Sequence, residues 1–310
     1  MAAAGVDRHQ ARTLGGARKV ALAERMPRAL FCLPLIVSWI GFAFKYRSLT
    51  LPTVANPYRP AGGMWGDSKS SYLLDVTASE RNWIADCVVV TRSTGPRTLY
   101  ADLEQARQSL SAAGLPFPLI AKPDSGRRCA CRIDDVSALR EYLRHFPAGE
   151  KLILQRLVPH SGEVTALYAR LPGTSSGRLL ALTLRTDGLY RDARQHITPE
   201  LEARLDAVAR SMREFHYGRF ALRFASIDEL MRGENFSIIE ISGVSGAANR
   251  RRAPALPLAE IYRRAVDQQR IMFLIGDKNR GRGFKPAAWA DVVKSLIRES
   301  QLSRRTPASA

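Results

Sequence analysis

The sequence has few of the residues that form disulfides or structural metal sites. Its 310 residues include only 4 cysteines and 5 histidines. Cys32, Cys87, Cys129 and Cys131 form no C-x-x-C pair and have no zinc-type spacing with the histidines. This spacing excludes a zinc finger and a disulfide scaffold, and it favours a reduced, cytoplasmic protein.

Acidic residues and lysines are also scarce. The chain has 29 Asp and Glu residues against 47 Lys and Arg residues, a formal charge of +18, and only 8 of the cations are lysines. Such a charge is typical of proteins with an anionic partner, such as a nucleotide, a nucleic acid or a membrane surface. The other explanation is compositional, because a chain rich in Arg, Ala and Leu is also typical of a GC-rich genome. The arginines at 250–252 lack interleaved aromatic residues, which argues against nucleic acid.

No apolar run reaches the roughly twenty residues that a spanning helix needs. The nearest is 29–44, which holds sixteen apolar or small residues, includes Pro34, and is flanked by Arg28, Lys45 and Arg47. This run predicts a helix that is buried in the fold or lies on a membrane surface. Both interpretations are favoured over a helix that crosses the membrane.

The rest of the chain alternates short apolar runs with amphipathic segments, which indicates a mixed α/β protein. The runs predict strands at 87–91, 152–158, 163–170 and 178–185, and another at the start of 236–249. Helices are predicted at 99–113, after a cap at Asp134 or Asp135, after Thr198, and from 258 to 275 with Gly276 as the end. The arginine-rich tail from residue 298 onward is predicted to be frayed.

One lysine stands at the end of a buried strand. Residues 119–132 read LIAKPDSGRRCACR, so an apolar strand ends at Lys122 and a turn-forming, basic loop follows. Loops of this kind expose backbone N–H groups that bind phosphate oxygens, which makes Lys122 a candidate phosphate ligand. The alternative is an ordinary strand exit.

Taken in order, this loop and the four later strand segments resemble the ATP-grasp superfamily. The resemblance is to an uncharacterised carboxylate–amine ligase-like group related to D-alanine:D-alanine ligase, and it covers about residues 34–285. It implies an α/β (α+β) ATP-grasp fold in which antiparallel sheets hold the nucleotide between two subdomains, after a small N-terminal α/β unit. The implied organisation is a disordered basic extension (1–27), the N-terminal unit with the apolar helix (28–114), an ATP-grasp domain with a shortened centre (115–290) and a basic tail (291–310).

The resemblance also implies roles for individual residues. Lys122, Gly126 and Arg128 would contact the nucleotide phosphates. The hinge from Gln155 to Val158 would meet adenine, and Glu163 would accept hydrogen bonds from the ribose. Glu240 would be the Mg²⁺ ligand. The cations that would face the phosphoryl group or the carboxylate of an unidentified small substrate are Arg170, Arg219 and Arg223. For any single arginine in so arginine-rich a chain, a surface ion pair is the alternative.

Several positions depart from the family pattern. The loop pattern G-x-R-G-x-G is here 126–131, GRRCAC, so both later glycines are missing. Ala221 and Ser242 stand where an aspartate and an asparagine would complete the metal site, although Asp228 or Glu234 could substitute. Two hypotheses therefore remain open. The chain is an ATP-dependent carboxylate–amine ligase, active or weakened, or it is a non-catalytic descendant that binds nucleotides or anions or acts as a scaffold.

Overall fold

The computed structural model describes residues 26–64, 67–95, 98–126, 130–186, 189–244 and 256–305. Arg128, Cys129 and the arginines at 250–252 lie outside these residues. Within them the α-helices are α1 Arg28–Tyr46, α2 Lys69–Asp75, α3 Leu99–Ala112, α4 Val136–His145, α5 Pro199–Ser211, α6 Ile227–Met231, α7 Leu258–Gly281 and α8 Trp289–Arg305. The strands are β1 Cys87–Thr91, β2 Leu119–Pro123, β3 Cys131–Ile133, β4 Lys151–Arg156, β5 Gly162–Ala169, β6 Arg178–Thr186, β7 Leu189–Asp192, β8 Tyr217–Phe224 and β9 Phe236–Ser242.

The first sheet has four strands in the order β1-β4-β2-β3, and every pair is antiparallel. One face of this sheet is covered by α3 and α4, whose Leu110, Leu139 and Leu143 are buried against the strands. Because β1 pairs with β4, β1 and α3 belong to the same layered unit as β2–β4. The sequence placed them in a separate N-terminal unit.

The second sheet has five antiparallel strands in the order β7-β6-β5-β8-β9. Its inner face carries alternate apolar residues such as Phe220, Leu222 and Ile238, which pack with α2 and α5 in the largest core cluster. The intervening residues of β8, Arg219, Ala221 and Arg223, are only partly buried. The alternation of strand side chains therefore gives this sheet one apolar and one polar face. Together the two sheets and their helices confirm the predicted mixed fold with antiparallel sheets.

A short extended segment, residues 84–86, joins the two sheets. The Ala85 N–H donates to the Ile238 carbonyl of β9 at 3.0 Å, and the Arg156 N–H donates to the Asp86 carbonyl at 2.9 Å. Since β9 is the edge of the second sheet, this segment satisfies backbone groups that would otherwise be exposed there. The two sheets thus meet along β9 and the β1–β4 side of the first sheet.

The helix starts follow the sequence signals. Ser68, Asp135 and Thr198 each accept a hydrogen bond from the backbone N–H three residues later, at 3.2, 2.8 and 3.2 Å. These are N-cap contacts, which satisfy backbone donors that have no partner inside the helix. Asp135, and not Asp134, caps α4.

The apolar segment 29–44 forms most of α1, which packs along α7. Phe31 stacks on Tyr262 at 5.4 Å between ring centroids, and Trp39 meets the edge of Phe273 at 5.0 Å. Gln269 donates to the Leu35 carbonyl at 3.0 Å. By length and composition alone, α1 is the one helix of the described residues that could cross a membrane, a criterion that buried helices of soluble proteins also meet.

Two predicted ends of elements are wrong. The last long helix continues past Gly276 to Gly281, because Gly276 lies inside α7 where the backbone of Leu51 approaches closely. A Cβ at position 276 would lie 2.5 Å from the Leu51 carbonyl oxygen, so this glycine serves close packing and does not end the helix. The tail predicted to be frayed from residue 298 is helical up to Arg305, as the second half of α8.

Candidate functional site

Lys122 lies at the junction of the two sheets. Its ammonium group donates to the Gln155 Oε1 atom at 2.8 Å and to the Ile239 carbonyl at 2.6 Å. The register between β8 and β9 shifts at this point, because Ala221 pairs with Glu240 and Leu222 pairs with Ile238. Ile239 is therefore the extra residue of a bulge, which leaves its carbonyl outside the strand ladder and available to Lys122.

The Lys122 side chain is only 6% exposed, and among the described residues its ammonium group bonds to two neutral acceptors. Burial lowers the pKa of Lys122, and Glu240 is the largest influence in the opposite direction. An ammonium group has three N–H donors, so one remains for a further acceptor. A buried cation with an unused N–H donor binds preferentially to an anionic acceptor.

Gln155 holds Lys122 in place from the neighbouring strand. The two side chains lie on the same face of the first sheet, and Gln155 also donates to the Ala85 carbonyl at 3.1 Å. The buried side-chain amide of Gln155 therefore links Lys122 to residue 85 at the junction of the two sheets. The hinge that follows ends at Val158, which is also buried and whose carbonyl faces Arg223.

The turn after Lys122 is fixed by the start of α2. The buried Asp124 carboxylate accepts from the Ser70 N–H at 2.8 Å and from the Ser68 hydroxyl at 2.8 Å. Lys69 donates to the Gly126 carbonyl at 2.6 Å. Gly126 has φ = +89°, a conformation that favours glycine. The conformation of the loop is therefore set by residues 68–70, which lie more than fifty positions earlier in the sequence.

We expect Asp124→Ala to lower the free energy of unfolding by about 2 kcal/mol, because a buried capping carboxylate with two hydrogen bonds is lost. The matched control is Asp135→Ala, which removes a cap with one such bond from the exposed start of α4 and should cost about 1 kcal/mol. Urea unfolding of both variants measures the difference. An equal loss in the two variants would mean that Asp124 contributes no more than an exposed cap.

The polar face of the second sheet brings four of the predicted site residues together. Glu163 lies between Arg185 on β6 and Arg223 on β8, and it binds Arg185 at 3.0 Å. Arg223 donates to the His160 carbonyl at 3.2 Å. The other two, Arg219 and Glu240, lie on the same face, where Glu240 pairs with Ala221. All four side chains are partly exposed.

Arg170 follows the end of β5, three residues beyond Leu167, which pairs with Arg219. At about 3.3 Å per residue its separation along the strand from the level of Arg219 is roughly 10 Å. Of the three predicted cations, Arg219 and Arg223 therefore share one face of the sheet, and Arg170 lies just past the end of β5.

A second polar cluster surrounds Arg170. Its backbone N–H donates to the His216 carbonyl at 2.8 Å, and His216 Nε2 lies 2.8 Å from Glu214. Hydrogen bonds from Arg282 lower the pKa of Glu214 to about 2, while burial lowers the pKa of His216. These contacts tie the end of β5, next to Arg170, to the C-terminal end of α7.

Glu240, the predicted Mg²⁺ ligand, does not belong to a cluster of metal-binding side chains in the described part of the chain. The described part of the chain contains no group of three or more His, Cys, Asp and Glu side chains that could hold one. The strand partner of Glu240 is Ala221. Asp228 and Glu234, which the sequence suggested as substitute ligands, lie in the connection between β8 and β9. Glu234 is bound to Arg232 at 3.1 Å there. Of the described carboxylates, Glu240 and, less strongly, Asp124 are the ones whose charge raises the pKa of Lys122.

The sequence analysis assigned no role to the residues that meet at the C-terminal end of β9. Gly63, Gly243, Tyr72 and Asp67 meet closely there, and a Cβ on Gly63 would lie 2.6 Å from the Asp67 carboxylate. Burial raises the pKa of Asp67 to about 6. The sequence signal for this close approach was the glycine pair at 62–63. In the structure both glycines have positive φ, a conformation that favours glycine.

No protein-family profile matches the chain, and no curated protein is similar to it. Solved structures are similar in part. They include D-alanine–D-alanine ligase from Bacillus anthracis complexed with ATP (14% identity, 70% of this chain and 64% of that chain, TM-score 0.41). An L-amino acid ligase from Bacillus licheniformis matches at 15% identity (59% and 43%, TM-score 0.40). The ADP complex of N5-carboxyaminoimidazole ribonucleotide synthetase also matches at 15% (56% and 42%, TM-score 0.38).

The chain thus spans 42% to 64% of the length of these three proteins. The three matches are partial, at 14–15% identity and TM-scores of 0.38 to 0.41. The roles of individual residues are therefore argued from their own contacts.

Proposed function

We propose that this protein binds ATP between its two antiparallel sheets and acts as an ATP-dependent carboxylate–amine ligase. The observation that supports this best is the Lys122 ammonium, which is buried where the sheets meet and makes two of its three possible hydrogen bonds within the described part of the chain. A phosphate oxygen is a suitable third acceptor because it is anionic. Gln155 and the Ile239 carbonyl hold the ammonium in place for it. Glu163, on the polar face of the second sheet, would accept hydrogen bonds from the ribose.

In the proposed reaction, a substrate carboxylate oxygen attacks the γ-phosphorus of ATP, and the bond to the bridging oxygen breaks to release ADP. An amine then attacks the acyl carbon of the acyl phosphate, loses a proton and expels inorganic phosphate. Charge on the transferred group is the main quantity that the protein must stabilise. Arg219 and Arg223 supply guanidinium groups on the polar face for this purpose, and Lys122 holds the phosphates.

A second candidate is a nucleotide-binding protein without ligase activity. It is favoured by Ala221, the strand partner of Glu240, which adds no second carboxylate there, so Glu240 gives only the lower of the one or two carboxylates that usually hold Mg²⁺ beside substrate phosphates. A single protein carboxylate leaves most of the ligands to the nucleotide and to water. This protein would then bind ATP with little dependence on magnesium.

Two measurements together separate these candidates. The first is calorimetric titration with ATP in the presence and absence of Mg²⁺. The second is an assay of phosphate release from ATP in mixtures of carboxylates and amines. Magnesium-dependent binding with phosphate release supports the ligase. Binding that is insensitive to magnesium, without release, supports the non-catalytic protein. Absence of ATP binding by the folded chain would contradict both.

We expect Ala221→Asp combined with Ser242→Asn to strengthen magnesium-dependent ATP binding by about 1–2 kcal/mol, because each new oxygen is placed beside Glu240. The control pair is Ala112→Asp with Ser111→Asn, which makes the same two changes at exposed positions at the end of α3, outside the second sheet. If the wild type already hydrolyses ATP with Mg²⁺ at an ordinary ligase rate and the double variant changes nothing, other carboxylates complete the site.

A further inference from the structure

The outward face of α1 is apolar along its whole length. Six large side chains on it are 43–80% exposed, although the helix is packed on its other face. They are Leu30, Leu33, Ile36, Val37, Ile40 and Phe44. From the first to the last, this stripe extends about 21 Å at 1.5 Å per residue. A continuous exposed apolar surface of this kind marks an interaction site.

Cations border this stripe at the C-terminal end of α1. Lys45 and Arg47 are exposed, and Arg280 of α7 reaches the Tyr46 carbonyl at 2.8 Å. At the other end the sequence continues into Arg28 and Arg25. The stripe therefore has apolar residues along its centre and basic residues next to it, within a chain of charge +18.

We propose that the outward face of α1 binds the surface of an anionic lipid bilayer, with the helix lying flat in the interface. Exposed leucine, isoleucine and phenylalanine side chains enter the boundary between headgroups and acyl chains in such helices. The neighbouring cations are attracted to anionic headgroups, an effect of about 1 kcal/mol per Lys or Arg near the surface. This proposal does not depend on nucleotide binding.

The contacts of the inner face exclude a spanning arrangement while the fold is intact. Ser38 donates to Gln269 at 2.6 Å, and Gln269 donates back to the Leu35 carbonyl. The partner helix α7 carries many charged residues, among them Glu260, Arg263 and Arg264. If α1 crossed the bilayer, it would either detach from α7 or draw these charges into the hydrocarbon, where they are very costly.

Charge also argues against a second copy of this chain as the occupant. Two copies that met through this face with twofold symmetry would bring the same basic border of each against the other. Like charges in such an arrangement repel, whereas an anionic bilayer is complementary to them. The bilayer is therefore the occupant that satisfies both the apolar stripe and its basic border.

Co-sedimentation of the full chain with vesicles tests the proposal. We expect binding to vesicles with about 30% phosphatidylglycerol, weaker binding to phosphatidylcholine alone, and partial release at high salt. Leu33→Ser with Val37→Ser should lower the bound fraction at least about fivefold. Lys45→Gln with Arg47→Gln should remove most of the preference for anionic vesicles.

The control is Leu74→Ser with Tyr100→Ser. Leu74→Ser makes the same change as Leu33→Ser at nearly equal exposure, 54% against 55%, and Tyr100→Ser removes a larger side chain that is 78% exposed against 62% for Val37. Circular dichroism confirms that each variant is folded. Equal losses in both pairs, or no binding by the wild type, would overturn the proposal.

Two further results would show that this face of α1 has a different partner or arrangement. A dimer of the wild type that Leu33→Ser with Val37→Ser dissociates would identify the face as a contact between copies. Retention of the protein in the membrane pellet after alkaline carbonate extraction would indicate a spanning helix.

Discussion

Phe273→Ala should lower the free energy of unfolding by about 3–5 kcal/mol, the range for a fully buried phenylalanine. Phe273 is inaccessible to solvent and lies among three aromatic rings of α1. The ring centroids of Trp39, Phe42 and Tyr46 are 5.0, 5.6 and 5.8 Å from it. Its removal leaves a cavity between α1 and α7 and takes away the contact on which the position of α1 depends.

Urea unfolding measures this loss, and Phe44→Ala is the control. Phe44 lies on the same helix but is 80% exposed, so its removal should change stability by less than about 0.5 kcal/mol. If the two variants lost equal stability, α1 would not be held by its inner face. α1 would then not have one face packed on α7 and one face exposed to solvent.

Lys122→Met should weaken ATP binding by about 1–3 kcal/mol, or roughly 5- to 150-fold, because one charge-assisted hydrogen bond to phosphate is lost. Methionine keeps most of the buried stem, so the change removes mainly the charge and the donors. The same substitution also leaves the Gln155 Oε1 atom and the Ile239 carbonyl without Lys122 as donor, so some loss of stability is expected as well.

Calorimetry with ATP and with adenosine separates these two effects. A phosphate contact predicts a large loss for ATP and little change for adenosine, whereas a distorted site weakens both. Lys151→Met is the control, since Lys151 is an exposed lysine at the start of β4 in the same sheet. Unchanged ATP affinity in folded Lys122→Met would leave Lys122 with a structural role only.

The sequence was sufficient for those elements whose signals are local. Apolar runs located β1, β4, β5 and β6 to within two residues, and side-chain caps located α4 and α5. Gly276 was misread because the same residue can end a helix or allow a close approach. Only the position of Leu51, far away in the chain, distinguishes the two uses.

The site was harder to predict for the same reason. Strand alternation correctly suggests that Arg219 and Arg223 share a face, since they are four residues apart on β8. The partner of Lys122 could not be foreseen, because the Ile239 carbonyl is free only through a bulge between two strands. Motif order grouped Arg170 with the other two arginines, and its role stays a prediction, since it lies just past the end of β5.

The pairing of α1 with α7 also affects how the protein is made. The hydrogen bond from Gln269 to Leu35 joins residues 234 positions apart. At roughly 5–20 residues per second, α7 leaves the ribosome on the order of 10–50 s after α1. Throughout that interval the α1 residues that later pack on α7, such as Phe31 and Trp39, have no α7 residues to contact. The helix acquires its single exposed face only when the C-terminal part of the chain has been synthesised.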